Sequence, residues 1–225
     1  MEDIPLAAAA RTTTTVVPPT LGTGKVEYLF SDVPERVRGL LQTDEVALYS
    51  VSPAWMSEIL IRHLTNIVGR RAVVTDATAC VGGDTFRLCG AFKYVNAVES
   101  DPDRASMLTW NLGVLGCENV RVVRNSYLSV CTDLSQDVVF IDAPWGGPEY
   151  KLLRKVNLFL DEMPLSDICA RVWHATSVIA LKVPKNFDIQ TLKDATAATL
   201  PNSHIAVLAM GPAKLVLIRK KLKIA

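Results

Sequence analysis

Five apolar, largely β-branched runs recur along this chain: RAVVTDA, KYVNAV, VRVVRNS, DVVFIDA and SVIALKV. Helix-like segments, GDTFRLCGAF, PDRASMLTWNLGVLG and LSDICARVWHA, lie between several of them. A strand that is apolar on both faces must be covered on both faces, so this alternation dictates a parallel sheet with helices above and below it. After a further helical stretch, IQTLKDATAATL, come HIAVLAM and KLVLIRKK, separated only by GPA. No crossover helix fits in that gap, so the last two strands pair as an antiparallel hairpin. The expected fold is α/β: a Rossmann-like, mostly parallel, seven-stranded sheet with an antiparallel C-terminal hairpin strand and helices on both faces.

Upstream, SPAWMSEILIRHLTNIVG reads as a helix with Ser52 at its N-cap, Pro53 in its first turn and Gly69 at its end. Met56, Ile59, Leu60, Leu64, Ile67 and Val68 recur at helical spacing and mark one buried face. The expected organisation is a flexible low-complexity tail over 1–24, a helical extension over 25–70 and a catalytic domain over 71–225. Trp55, Trp110 and Trp173 fall at helical spacing and are expected to pack.

A net charge of +1 rules out a broad electrostatic grip on a long nucleic acid, leaving room for one held at a nucleotide or a terminus. Five cysteines without C-x-x-C spacing and three scattered histidines argue against a metal site or a disulfide framework. With no signal-like segment at the start, the sequence reads as an intracellular protein, nuclear or cytoplasmic, and monomeric; a viral origin is compatible with it.

Ligands of open α/β sheets bind at the carboxyl ends of the strands. The first such end, VVTDATACVGGDTF, puts Asp76 where it can hold an ammonium and Gly82-Gly83 where a ligand can approach backbone; a tight βα turn needs the same glycines for geometry alone. Glu99 closes the second strand about 20 residues on, where an acid binds ribose hydroxyls in nucleotide folds. Asp101 reads as the cap of the helix that starts at Pro102. At the third end Ser126 is a weaker candidate for an adenine edge. The fourth end, DVVFIDAPWGGPEY, pushes out a tryptophan beside an aspartate.

DAPW resembles the [Asp/Asn/Ser]-Pro-Pro-[aromatic] signature of methyltransferases acting on exocyclic amines, and the sheet with its terminal hairpin resembles the class I, S-adenosylmethionine-dependent methyltransferase fold. The longer strings DAPWGGPEY, DATACVGGDTF, YSVSP and LKVPKNFD, in that family's order and spacing, resemble the trimethylguanosine synthase family over roughly residues 46–219. The resemblance implies transfer of methyl groups from S-adenosylmethionine to the N2 amine of 7-methylguanosine in an RNA 5′ cap. It implies a catalytic group of Asp142, Ala143, Pro144 and Trp145. Asp142 and the Ala143 carbonyl would hold the amine hydrogens, and Trp145 would stack on the cationic base, indole being the best cation–π face. It implies cofactor contacts at Asp76, Ala77, Thr78, Gly82, Gly83, Glu99, Ser126 and Asp142. Substrate contacts would come from Ser52, Trp145, Gly146, Gly147, Lys182, Lys185 and Asn186, with the two lysines facing the cap phosphates. Against the family pattern, Cys80 stands for a glycine, Thr78 for a phenylalanine, Ala143 for a proline and Ser126 for an acid.

Plainer readings sit beside these: Trp145 as a core residue under a loop, the lysines as solvated surface charge, RKKLK at 219–223 as a charged strand end. Two other functions compete: methylation of an exocyclic amine elsewhere in RNA or DNA, and a methyltransferase-like binding protein that has lost catalysis, for which Cys80 and Ser126 are the motive.

Overall fold

The computed structural model of the protein describes residues 3–4 and 23–221. Most of the expected tail, residues 5–22, and the end of RKKLK lie outside the described residues. Four helices precede the main sheet: α1 (Thr23–Leu29), α2 (Glu35–Arg38), α3 (Glu45–Ser50) and α4 (Ala54–Val68). Leu29, Phe30, Val33, Leu41, Ala47, Leu48 and Val51 from this region bury one small cluster with Val81 of the first βα loop.

The main sheet has eight strands in the order β1-β4-β3-β2-β5-β8-β10-β9. Its parallel centre is β2 (Val73–Asp76), β3 (Tyr94–Glu99), β4 (Val120–Arg124), β5 (Val138–Ile141) and β8 (Val178–Pro184), each on one of the five apolar runs, with β3 and β8 reaching one residue past theirs. The strand β10 (Ala213–Lys220) lies between β8 and β9 (Ser203–Met210) and runs antiparallel to both, as the three-residue gap requires. Beyond the seven expected strands, β1 (Asp3–Ile4) pairs antiparallel with the β4 edge at Val123 and Val122. The short strands β6 (Phe159–Leu160) and β7 (Met163–Pro164) form a separate hairpin.

The sheet is covered by α5 (Thr85–Ala91), α6 (Pro102–Val114), α7 (Tyr127–Val130), α8 (Leu165–Val172) and α9 (Ile189–Thr199). Two apolar cores result, one on each face. One packs Leu60, Leu64, Leu88, Leu108 and Leu112 against the sheet; the other packs Tyr127, Ile168, Cys169, Val172, Trp173 and Leu192. Asp101 caps α6 as expected, accepting from the Asp103 and Arg104 N–H groups at 2.9 Å.

Two sequence expectations need correction here. Helix α4 starts at Ala54 with Pro53 at its N-cap and no side-chain cap bond, because the Ser52 hydroxyl is drawn inward to other partners. Of the three tryptophans only Trp173 is buried. Trp110 is 43% exposed and gives its indole N–H to the Leu40 carbonyl at 2.8 Å, tying α6 to the extension. Trp55 presses against Gly211, where any Cβ would collide with the indole.

Candidate active site

The carboxyl ends of β2, β3, β5 and β8 meet the starts of α4 and α5, and a chain of polar side chains crosses the junction. Lys182, on β8, is 5% exposed. Its ammonium pairs with Asp142 Oδ2 at the end of β5 and donates to Ser52 Oγ at 2.6 Å. Ser52 in turn donates to Asp84 Oδ2 at 2.6 Å, and the Ser57 hydroxyl, one turn into α4, donates to Asp84 Oδ1. A buried ammonium is tolerated only when its charge and its protons are satisfied, and these partners satisfy both.

Asp76 closes β2 beside this chain. It accepts from Thr85 Oγ1 at 2.7 Å and more loosely from the Thr78 N–H at 3.3 Å. Burial pushes its carboxyl up to about 7, against the Thr85 bond, with the charges of Asp84 and Asp142 adding to the rise. Burial likewise raises Asp142 to about 6, although the Lys182 charge and hydrogen bond pull it down. Burial opposes the Lys182 charge, but Asp142 and Asp84 outweigh it, so its pKa is raised and the ammonium persists. Excess negative character around one cation is a setting that favours a second cation.

Trp145 packs against both apolar cores. Lys182 Nζ stands 5.8 Å from its ring centroid, and Tyr150 meets it edge-on, centroids 5.2 Å apart at 86°. Its indole N–H is buried and falls outside hydrogen-bond geometry with any described residue, yet it lies close enough to Asp142 to draw that carboxyl slightly downward. Ala143 is buried, Pro144 is exposed, and Gly146 and Gly147 turn the loop at φ +86° and +76° with open space where a Cβ would stand. Those values belong to the left-handed region that glycine enters without penalty.

The remaining candidates divide. Glu99 accepts from the Cys80 N–H and the Asp101 N–H, both at 2.9 Å, so it braces the first βα loop while keeping lone pairs for a ligand hydroxyl. Thr78 accepts the Asp142 N–H at 2.9 Å and thereby joins the first and fourth strand ends. Ala77 spends its N–H on the Phe140 carbonyl at 2.9 Å and its methyl in the core. The glycines of this loop serve packing: a Cβ at Gly82 would lie 2.9 Å from Leu108 Cδ1, and one at Gly83 would collide with Val51. Cys80 takes the family's glycine position with φ +50°, at a cost of about 1 kcal/mol for a side chain in that region. Ser126 caps α7 and donates to Asp161 at the tip of the β6–β7 hairpin, so its hydroxyl is committed to structure.

On the substrate side, Lys182 does not face outward to phosphates; its head group is turned into the carboxylate chain. Lys185 is exposed. Asn186 donates to the carbonyls of Tyr150 and Leu153, both at 2.8 Å, and so pins the turn that follows Trp145. Sequence reasoning missed Asp84, Ser57 and Thr85. Only their placement after two glycines or in the first turn of a helix could have singled them out. Among the described residues no group of three or more His, Cys, Asp or Glu could hold a metal ion, and no helix is long and apolar enough to cross a membrane.

A parallel sheet with a terminal antiparallel pair and acidic side chains, Asp76, Glu99 and Asp142, gathered at the carboxyl ends of its strands is the architecture of a class I methyltransferase. The chain belongs to the RNA cap guanine-N2 methyltransferase family, whose model matches residues 71–216, well over half of the sequence. It is 32% identical over 130 residues to an uncharacterized protein of Acanthamoeba polyphaga mimivirus, covering 56% of this chain and 51% of that one. It is 24% identical over 160 residues to the trimethylguanosine synthase of Schizosaccharomyces pombe, covering 66% and 65%. The chain thus spans between half and two thirds of these relatives' length. Among solved structures, an rRNA methylase from Streptococcus thermophilus superposes with TM-score 0.54 at 16% identity, over 73% of this chain and 95% of that one. A precorrin-6y C5,15-methyltransferase from Geobacter metallireducens does so with TM-score 0.56 at 16% identity, over 81% and 94%. Such distant likeness fixes the fold, which serves very different acceptors. A methyltransferase fold implies S-adenosylmethionine as donor, and the acidic strand ends suit a sulfonium and an ammonium.

Proposed function

We propose that this chain methylates the exocyclic N2 amine of 7-methylguanosine in an RNA 5′ cap, giving di- or trimethylguanosine. The observation that carries this reading is the meeting of Asp142 and Trp145 at the end of β5 around one buried ammonium. An amine on a heteroaromatic ring is a poor nucleophile because its lone pair is delocalised. Two acceptors that hold its hydrogens favour a pyramidal nitrogen with the lone pair free. Lys182 occupies Asp142 Oδ2, so Oδ1 is the oxygen we assign to one amine hydrogen, and the Ala143 carbonyl to the other. Fixing the acceptor in this way supplies rate through positioning.

When bound, S-adenosylmethionine supplies an electrophilic methyl group on a sulfonium. Asp76 and Glu99 are the residues assigned to hold its ammonium and its ribose. An amine that received this methyl group would be cationic and would have a proton to lose. Asp142, raised to about 6, is suited to take that proton and pass it to solvent near neutral pH. A cationic base is repelled from the indole face that Lys182 occupies, so it stacks on the opposite face of Trp145.

Mass spectrometry of a 7-methylguanosine cap analogue, incubated with protein and S-adenosylmethionine, tests the proposal. One or two added methyl groups, absent with unmethylated guanosine cap, are expected. Methylation of uncapped RNA or DNA instead would move the assignment to another exocyclic amine. Calorimetry showing no binding of the donor or its demethylated product would leave only a binding role.

A further inference from the structure

The turn after Trp145 carries a feature that cap chemistry does not use. Residues 151–155, KLLRK, are all exposed, with Leu152 86% exposed. The segment is held in place: Asn186 clamps the Tyr150 and Leu153 carbonyls, the Val156 N–H reaches the Asn186 carbonyl at 3.0 Å, and Val156 bridges to Phe187. It therefore lies alongside Lys185, which is also exposed. Lys155 is paired with Asp188 at 2.8 Å. Beside it stand three exposed cations, Lys151, Arg154 and Lys185, against one exposed carboxylate in the turn, Glu149; Lys151 Nζ lies 5.9 Å from the Tyr150 ring centroid. In a chain whose net charge is only +1, this is a local concentration of cations on a pinned rim beside Trp145.

We propose that Lys151 and Arg154 form a track for the first phosphates of the RNA chain beyond the cap. This rests on the cap reading above. A single-stranded polyanion leaving a base stacked on Trp145 meets this rim, and exposed leucines between the cations offer apolar contact to a ribose or base. Lys185 stays with the cap phosphates. The substrate is then a capped oligonucleotide, which the protein distinguishes from a free cap nucleotide by charge outside the catalytic group.

The test compares a cap dinucleotide with a capped ten-nucleotide RNA, using wild type and a Lys151→Glu, Arg154→Glu double variant. Wild type is expected to show a KM at least about tenfold lower for the RNA, and the variant to lose that advantage while its dinucleotide kinetics stay unchanged. The slope of log KM against log salt for the RNA should fall by about 1.4, about 0.7 for each phosphate contact removed. Equal KM for the two substrates in wild type, or equal damage to both in the variant, overturns the track. If neither substrate is methylated, the cap reading has failed. Fluorescence anisotropy with labelled RNA then decides the track: tighter binding by wild type supports it and equal binding overturns it. Displacement of that RNA by a polyglutamate peptide at equal charge concentration would assign the rim to acidic protein instead.

Discussion

Three acidic side chains, Asp76, Asp84 and Asp142, face one ammonium, Lys182, where little water reaches. Asp76 makes the consequence measurable. Its ordinary value is near 4 and its folded value about 7, so between those limits the folded state holds a proton that the unfolded chain has released. Its contribution to stability is therefore full below about pH 4 and is lost as pH rises to about 7. Asp76→Asn keeps an oxygen for Thr85 and removes the charge. In the ligand-free protein it should match wild type near pH 4 and exceed it at pH 8 by roughly 2–4 kcal/mol, while binding S-adenosylmethionine more weakly. Urea titrations at the two pH values check this, and a stability gain independent of pH would contradict it. Asp142 and Trp145 separate in kinetics. Trp145→Ala should raise KM for the cap about tenfold or more, since cation–π stacking contributes about 2 kcal/mol when desolvated, with donor binding intact. Asp142→Asn should lower kcat by roughly a hundredfold, on the scale of general acid–base effects, with a smaller change in KM. Steady-state kinetics with a cap analogue would show the split, and equal effects on both constants would mean neither residue has its assigned role.

Among the elements, the 148–153 turn holds Trp145 and Tyr150 only as firmly as Asn186 allows. Asn186→Ala removes two hydrogen bonds, a local loss of about 1–3 kcal/mol. Cap KM should rise, and hydrogen exchange should quicken over 148–153 but not in β5 or β8. Faster exchange confined to β8 would place its role elsewhere. Asn186 was assigned to the substrate from the resemblance alone; its partners are main-chain carbonyls, which leave no trace in residue identity. The sheet was readable for the opposite reason. VVFI and VIAL are apolar without alternation, and only a strand covered on both faces needs that pattern. Asp142 and Trp145 were readable because a strand end with aromatic and glycine neighbours is local. Lys182 was not: inside a strand it looks like a solvent-facing residue, and its burial depends on Asp142, 40 positions away. Ser52, Ser57 and Asp84 are 27 and 32 positions apart across their bonds, so no spacing rule joins them. For Gly82 and Gly83 the sequence left ligand approach and turn geometry equally open; Leu108 and Val51 stand where their Cβ atoms would be, packing contacts that only the folded chain makes.

Across the whole molecule, the N-terminal helices are coupled to the sheet's helical layer through Trp110 and Asn111 of α6, which bond Leu40 and Gln42, and most densely through Arg87 of α5. Its guanidinium, nearly buried, is gripped bidentately by Asp32 at 2.6 and 2.8 Å and donates to the carbonyls of Leu29 at 2.9 Å and Gly83 at 2.7 Å. Burial raises the Asp32 carboxyl, but the Arg87 bond and charge outweigh it and hold it below its ordinary value. One side chain thus ties the extension to the loop that Val51 covers, next to the strand end bearing Asp76. We propose that residues 23–50 are a separately unfolding lid on the methyltransferase sheet, fastened in part by this arginine. Arg87→Met keeps most of the volume, releases Asp32 to solvent and removes the N–H groups that the Leu29 and Gly83 carbonyls accept. Asp32 is 36% exposed and stays hydrated, so the loss is that of the arginine's hydrogen bonds, about 1–3 kcal/mol. Hydrogen exchange should then show protection lost over 23–50 while β2, β3 and β5 retain theirs. If the strands lost protection in step with the helices, extension and sheet would be one cooperative unit and the lid would not exist.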